Sequence, residues 1–107
     1  MFLATLSNEE SVALIAVVVV EYLIKEKRYH DAMAVADILL DHYPSFAYAM
    51  VKKGAAAYYL LKTNFYDLYP TAQDVPEDQR GYLAYLQRVN QSTFDRAESL
   101  GWRQAER

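Results

Sequence analysis

Tyr29-His30-Asp31-Ala32-Met33-Ala34-Val35-Ala36, continued through Asp37 to Tyr43 and stopped by Pro44, is the stretch that decides the fold. An aromatic and an acidic residue open it. Ala32, Val35, Ala36, Leu39 and Leu40 then recur at helical spacing, while Asp37 and Asp41 fall on the other side. Proline disfavours helical geometry in the residue before it, so the element ends at Tyr43. The spacing therefore predicts a helix from Tyr29 or Asp31 to Tyr43.

Outward from there, the flanks also read as helices. A first helix is expected from Asn8 to Lys27, capped by Ser7 or Asn8. Glu9 and Glu10 lie at its positive end, and Lys25, Lys27 and Arg28 at its negative end. Val17 to Val20 favour strand on propensity, but the length of the segment and its flanking charges favour helix. A third helix is expected from Phe46 to Thr63 or Tyr66, with Met50, Val51, Gly54, Ala57, Tyr58 and Leu61 in one broad stripe. Gly54 and Ala55-Ala56-Ala57 form a thin surface for close approach of another helix. Asn64 to Pro76 carries two prolines and no helical pattern, and reads as a loop. A fourth helix is expected from Pro76 or Glu77 to Leu100, capped by Asp74. Its apolar face is Leu83, Leu86, Val89 or Asn90, Phe94, Ala97 and Leu100, and Gly101 stops it. Trp102 is expected to fold back on the helix pair and Arg103 to Arg107 to fray.

Composition agrees with an all-α chain of one domain. The 107 residues are 53% hydrophobic, with only 3 Gly and 3 Pro, which favours long helices over a turn-rich β fold. A formal charge of -3 gives no electrostatic reason to expect nucleic acid. With no cysteine, disulfides, thiolate metal sites and a cysteine nucleophile are excluded, and the chain suits a reducing cytoplasm. Met1 to Val20 lacks the basic start of a secretory signal. The apolar run Val12 to Val20 is less than half the about 20 residues a membrane span needs.

The helix pair resembles a tetratricopeptide repeat, a helix-turn-helix unit of about 34 residues. Aligned on Pro44, a unit begins near Ala13. Ala32 occupies the small position of the second helix and Pro44 the closing proline. Ala16, Val20 and Ala36 depart from the family's Trp, Gly and large aromatic. A second unit begins near Ala47, with Met50 at the Trp place and Gly54 at the packing Gly. The register then fails, because the next small position would be Tyr66. The match covers about residues 13–61. It implies antiparallel helix pairs, about four helices in all, and binding of a protein or peptide. Phe46 to Gly54 and Phe94 to Trp102 are also similar to helical tails of bacterial transglutaminase-like proteins. That likeness implies an accessory domain, since the Cys-His-Asp chemistry of that family needs a cysteine this chain lacks.

No residue pattern points to catalysis, a cofactor or a metal. His30 and His42 on one helix stand roughly 18 Å apart, too far to share an ion. Glu9-Glu10 and Glu77-Asp78 diverge by about 100° and belong to helix first turns. Phosphate-binding and dinucleotide glycine patterns and a nucleophile elbow are absent. Lys52, Lys53 and Lys62 read as a solvated face. A tetratricopeptide carboxylate clamp would need Lys and Asn where Val17 and Glu21 stand.

Two surfaces remain as candidates for partners. Tyr48, Val51, Ala55 and Tyr58 of the second unit, with Leu14 and Val17, would form an apolar, aromatic-edged trough for an amphipathic helix. The alternative is that the fourth helix fills it within the chain. The second surface is the first helix itself, apolar on nearly every side from Val12 to Ile24 except at Glu21. A helix apolar all round is buried all round, yet no earlier unit precedes it, and array ends normally carry a polar cap. Val18 and its neighbours are therefore expected to pack on a second copy or on a domain outside this chain. A non-catalytic, self-associating interaction module is the leading expectation. The alternatives are the accessory domain and a small helical carrier with a pocket lined by Tyr58, Tyr82 and Tyr85.

Overall fold

The computed structural model describes residues 8–101, with side-chain surroundings from Ser11 onward. Four helices carry the chain: α1 (Asn8–Lys25), α2 (Tyr29–His42), α3 (Ala47–Leu61) and α4 (Arg80–Ser99). No strand occurs among the described residues, and Val17 to Val20 are helical. Trp102 and Arg103 to Arg107, like the proposed Ser7 cap, lie outside the described residues.

The helices pack chiefly on their sequence neighbours: α3 on α4 most extensively, then α2 on α3 and α1 on α2, with a smaller contact of α1 on α3. Small side chains on α2 and α3 permit this. Ala32 and Ala36 of α2, and Ala49, Ala56 and Ala57 of α3, are buried. The larger side chains that fill between them are Val17, Val20 and Leu23 of α1, Leu39 of α2, Leu60 and Leu61 of α3, and Leu83 and Leu86 of α4.

Gly54 sets the distance between α3 and α4. A β-carbon there would lie 2.5 Å from Thr93 Oγ1 and 2.8 Å from Phe94 Cε2. The Thr93 hydroxyl is held in place, donating to the carbonyls of Val89 and Asn90. Asn90 Nδ2 in turn donates to the Gly54 carbonyl at 2.9 Å. A hydrogen in place of a side chain therefore brings the two backbones together and lets a polar side chain reach across.

The chain reversals differ from the expected ones in informative ways. Helix α1 ends two residues before the expected Lys27. Lys27 takes a left-handed φ of 63°. Its N–H donates to Ile24 O at 2.9 Å, and the Arg28 N–H to Leu23 O at 2.8 Å. This paired pattern closes a helix around a left-handed residue, where glycine is usual. Beyond Leu61 the helix widens into a π turn over Lys62–Tyr66, closed by the Asp67 N–H on Lys62 O. The turn carries Phe65 into the core at 2% exposure. Residues 64–76 are thus not a plain loop. After the π turn, the Thr71 N–H and hydroxyl both donate to Asp74 Oδ2, framing a 3-10 turn over Ala72–Asp74. Asp74 therefore caps this turn rather than α4. Arg80 donates to the carbonyls of Val75 and Gln73, and Val75 is buried, so the segment is fastened to the start of α4. Glu77–Gln79 form a further 3-10 turn, and the α-helix proper begins at Arg80. Gly101, with φ of 103°, stops α4 as expected.

Gly54→Ala is expected to destabilise the fold by about 1–3 kcal/mol in chemical denaturation, despite alanine's better helix propensity, because the core is overpacked there. Adding Thr93→Ala, which removes the nearest clash, is expected to recover part of that loss.

Candidate functional site

Helix α1 shows two unlike sides. Val17, Val20 and Leu23 face the core, and Ala13, Ala16 and Ile24 pack against it in part. The other side is open: Val12 is 58% exposed, Ile15 65%, Val18 62%, Val19 41% and Tyr22 57%. These five follow from the helical repeat, since one buried face leaves an arc that α2 and α3 do not reach. They form a contiguous apolar stripe on a single helix, of the kind that marks a contact surface. The expected burial of α1 on all sides is therefore not met within one copy of the chain.

The second surface lies on α3. Gly54, Met50, Ala57 and Leu61 are its buried side, and α4 is seated at Gly54. Tyr48, Val51, Ala55 and Tyr58 fall together on another side, the two tyrosines exposed and Val51 and Ala55 half-buried. Helix α4 thus borders this strip and leaves it open. Asn90 and Phe94 join Ala55, Tyr58 and Tyr59 around a hollow of about 330 Å³ at the border.

Glu21 joins the two surfaces. The Tyr48 hydroxyl donates to Glu21 Oε2 at 2.6 Å, and Lys52 Nζ lies 3.2 Å from the same oxygen. The Tyr48 hydrogen bond, then that from Lys52, holds the Glu21 carboxyl below its ordinary value of 4.5. The same bond, with partial burial, raises the Tyr48 phenol. The one charged residue in the apolar run of α1 is therefore a strut to α3. Lys53 makes an equivalent strut to Asp37 of α2 at 2.6 Å.

Of the residues singled out from sequence, the structure brings Tyr48, Val51, Ala55 and Tyr58 onto one strip and exposes Val18 on α1. Leu14 is half-buried. Val17 is corrected: at 7% exposure it belongs to the core between the helices and offers a partner nothing. Tyr58, Tyr82 and Tyr85 divide into two groups. Tyr82 and Tyr85 stack at 6.4 Å, whereas the Tyr58 ring meets Tyr59 edge-on at 5.8 Å and borders the Phe94 hollow.

Sequence reading missed an aromatic tie between α2 and its neighbours. Tyr29 stacks on Tyr59 at 5.3 Å, and His30 Nε2 hydrogen-bonds the Tyr82 hydroxyl at 2.5 Å. Tyr82 also meets Phe65 at 5.9 Å, and burial, then the neighbouring Tyr85, raises its phenol. His30, exposed at the surface, is thus a link from α2 to α4. His42 donates from Nδ1 to the Ile38 carbonyl at 3.0 Å, within its own helix. No group of three His, Asp or Glu able to hold a metal ion occurs among the described residues. No helix among them is long and apolar enough to cross a membrane.

Comparison with protein-family models, with curated proteins and with solved structures finds no match.

Glu21→Gln is expected to lower stability at neutral pH by up to about 1 kcal/mol, the scale of an exposed ion pair. The lowered folded-state value fixes the sign. The contribution is fully present above the unfolded value of 4.5 and fades as pH falls through the folded one. Urea denaturation at pH 7 and pH 3 is expected to separate the variant from the parent more at the higher pH.

Proposed function

We propose that this chain is a non-catalytic assembly module of the tetratricopeptide kind, which associates with a second copy of itself through the open side of α1. The observation that carries this reading is the stripe Val12, Ile15, Val18, Val19 and Tyr22, each more than 40% exposed on one helix. The serial packing of α1, α2 and α3, with α1 also touching α3, supports the repeat-like part of the reading. So does Gly54 at the closest approach of α3 and α4. A self-pairing surface at the end of such an array is isologous, the same patch serving both copies.

Magnitudes make any such association concentration-dependent. Covering the exposed half of a valine or isoleucine is worth about 1 kcal/mol. Over the stripes of two copies this reaches about 10 kcal/mol, comparable with the about 4–15 kcal/mol lost in freedom on association. The Tyr48, Val51, Ala55 and Tyr58 strip is then the face left for a protein or peptide partner, with tyrosines supplying contact area and orientation. Glu21, Asp37 and His30 serve as struts between helices, which suits a scaffold. A reducing cytoplasm is the setting proposed with this reading, supported by a sequence without cysteine, and the formal charge of -3 gives no electrostatic reason for nucleic acid.

Static light scattering over a concentration series is the test. The parent chain is expected to approach the mass of two copies, and Val18→Lys or Val19→Lys to give the mass of one copy or insoluble protein. A parent that stays a monomer at the highest soluble concentration, or soluble variants with the parent's dimeric mass, would contradict the reading.

A further inference from the structure

Tyr48 and Tyr82 each hydrogen-bond a base on another helix. The Tyr48 hydroxyl meets the Glu21 carboxylate at 2.6 Å, and the Tyr82 hydroxyl meets His30 Nε2 at 2.5 Å. The two bases are not equal. Glu21 is shared with Lys52, and its carboxyl is held below its ordinary value by Tyr48 and then Lys52, which makes it a poor proton acceptor. A neutral imidazole is ordinarily about a hundredfold more basic than a carboxylate. In the tautomer with its proton on Nδ1, the imidazole receives the Tyr82 O–H at Nε2. Asp31, beside His30 in sequence, is occupied by Arg28.

A phenol that loses one electron becomes a strong acid. Oxidation is therefore easiest where a base already holds the hydroxyl proton. The geometry points to Tyr82 as the tyrosine through which this chain gives an electron to diffusible one-electron oxidants, such as the carbonate radical anion, with His30 taking the proton. The electron reduces that radical to carbonate. The Tyr82 O–H bond breaks and an N–H bond forms at His30 Nε2. A neutral tyrosyl radical and an imidazolium remain, so the protein has gained one positive charge and lost no proton. Return of one electron from a reductant sends the proton back to the phenol oxygen and restores the pair.

The surroundings suit this role. The sequence has no cysteine whose thiol would take the oxidising equivalent instead. Tyr82 is 36% exposed, so an oxidant reaches its ring. Phe65 at 5.9 Å and the stacked His30 ring hold that ring without competing for its proton. Tyr85 stacks on Tyr82 at 6.4 Å, is 43% exposed, and has no hydrogen-bonded base among the described residues. It is a neighbour of similar access that differs in the base alone. An electron vacancy that arises on Tyr85 passes across the stack to Tyr82, where the proton has somewhere to go. None of this depends on self-association. A monomer and a dimer of the chain carry the same pair.

The test exposes the whole chain to photogenerated tris(bipyridine)ruthenium(III), in less than one equivalent, with a nitroso spin trap present. Trapped tyrosines are then mapped by peptide mass spectrometry. Tyr82 is expected to carry at least about ten times the adduct of Tyr85, a conservative figure for proton transfer to a positioned base. Adducts that follow exposure alone, led by Tyr22 and Tyr66, would overturn the assignment. Tetranitromethane, which attacks phenolate, separates electron loss from mere access. Burial, then Tyr85, raises the Tyr82 phenol, so that reagent is expected to show no preference for it. Equal preference for Tyr82 by both reagents would overturn the inference. His30→Phe keeps a ring against Tyr82 and removes the base. It is expected to bring the Tyr82 adduct down to the level of Tyr85, and an unchanged ratio in a variant with the parent's circular dichroism would contradict the role of His30. Should that variant not fold, the parent's ratio of Tyr82 to Tyr85 with the two reagents decides.

Discussion

Contact of α1 with α2 and α3 on one side only is the constraint on which the rest depends. Val17, Val20 and Leu23 supply the greasy edge of the core that α2 needs, so α1 cannot be polar there. Had the far side been polar, the helix would be an ordinary end cap of a helical array. Instead Val12, Ile15, Val18, Val19 and Tyr22 continue the apolar surface around the circumference. A short chain needs its hydrophobic residues for its own core, and five on one open arc are costly to leave in water. The only charged residue between Val12 and Ile24 is Glu21, and it points to Tyr48 and Lys52, not to the open arc.

The remaining contacts keep that arc in a fixed relation to the rest of the molecule. Gly54 lets α4 lie close on α3, and Asn90 reaches its carbonyl across the gap. The Tyr29–Tyr59 stack and the His30–Tyr82 hydrogen bond tie the start of α2 to both later helices. Struts from Glu21 and from Asp37 reach α3 at Lys52 and Lys53, neighbours in sequence on two sides of the helix. Through Glu21, the α3 strip is held directly to α1 at Tyr48.

Much of this was legible in the sequence because it follows from periodicity. The course of α2 came from its alanine and leucine spacing and from Pro44, and the close packing at Gly54 from a lone glycine in a helical stripe. The apolar circumference of α1 could be read directly. Which arc of it would face the core could not, since a stripe with no polar side gives no phase. That is why Val17, buried, and Val18, exposed, were grouped together as contact residues. Lys27 gave no signal of its left-handed backbone, because side-chain identity there follows the turn geometry only when glycine is chosen. The Lys62–Tyr66 π turn and the Thr71–Asp74 turn were hidden for a different reason. They are set by Phe65 and Val75 reaching the core and by Arg80 binding backbone carbonyls, contacts between residues whose pairing no local pattern encodes. The link between His30 and Tyr82 spans two helices and was hidden likewise.

The central claim is that a second copy covers the open side of α1. Its most direct measurement is an isotope-filtered nuclear Overhauser experiment on an equimolar mixture of labelled and unlabelled chain. Contacts between copies are expected from the Ile15, Val18 and Val19 methyl groups and the Tyr22 ring. A sample at high concentration in which those groups show only contacts within their own chain would contradict the account.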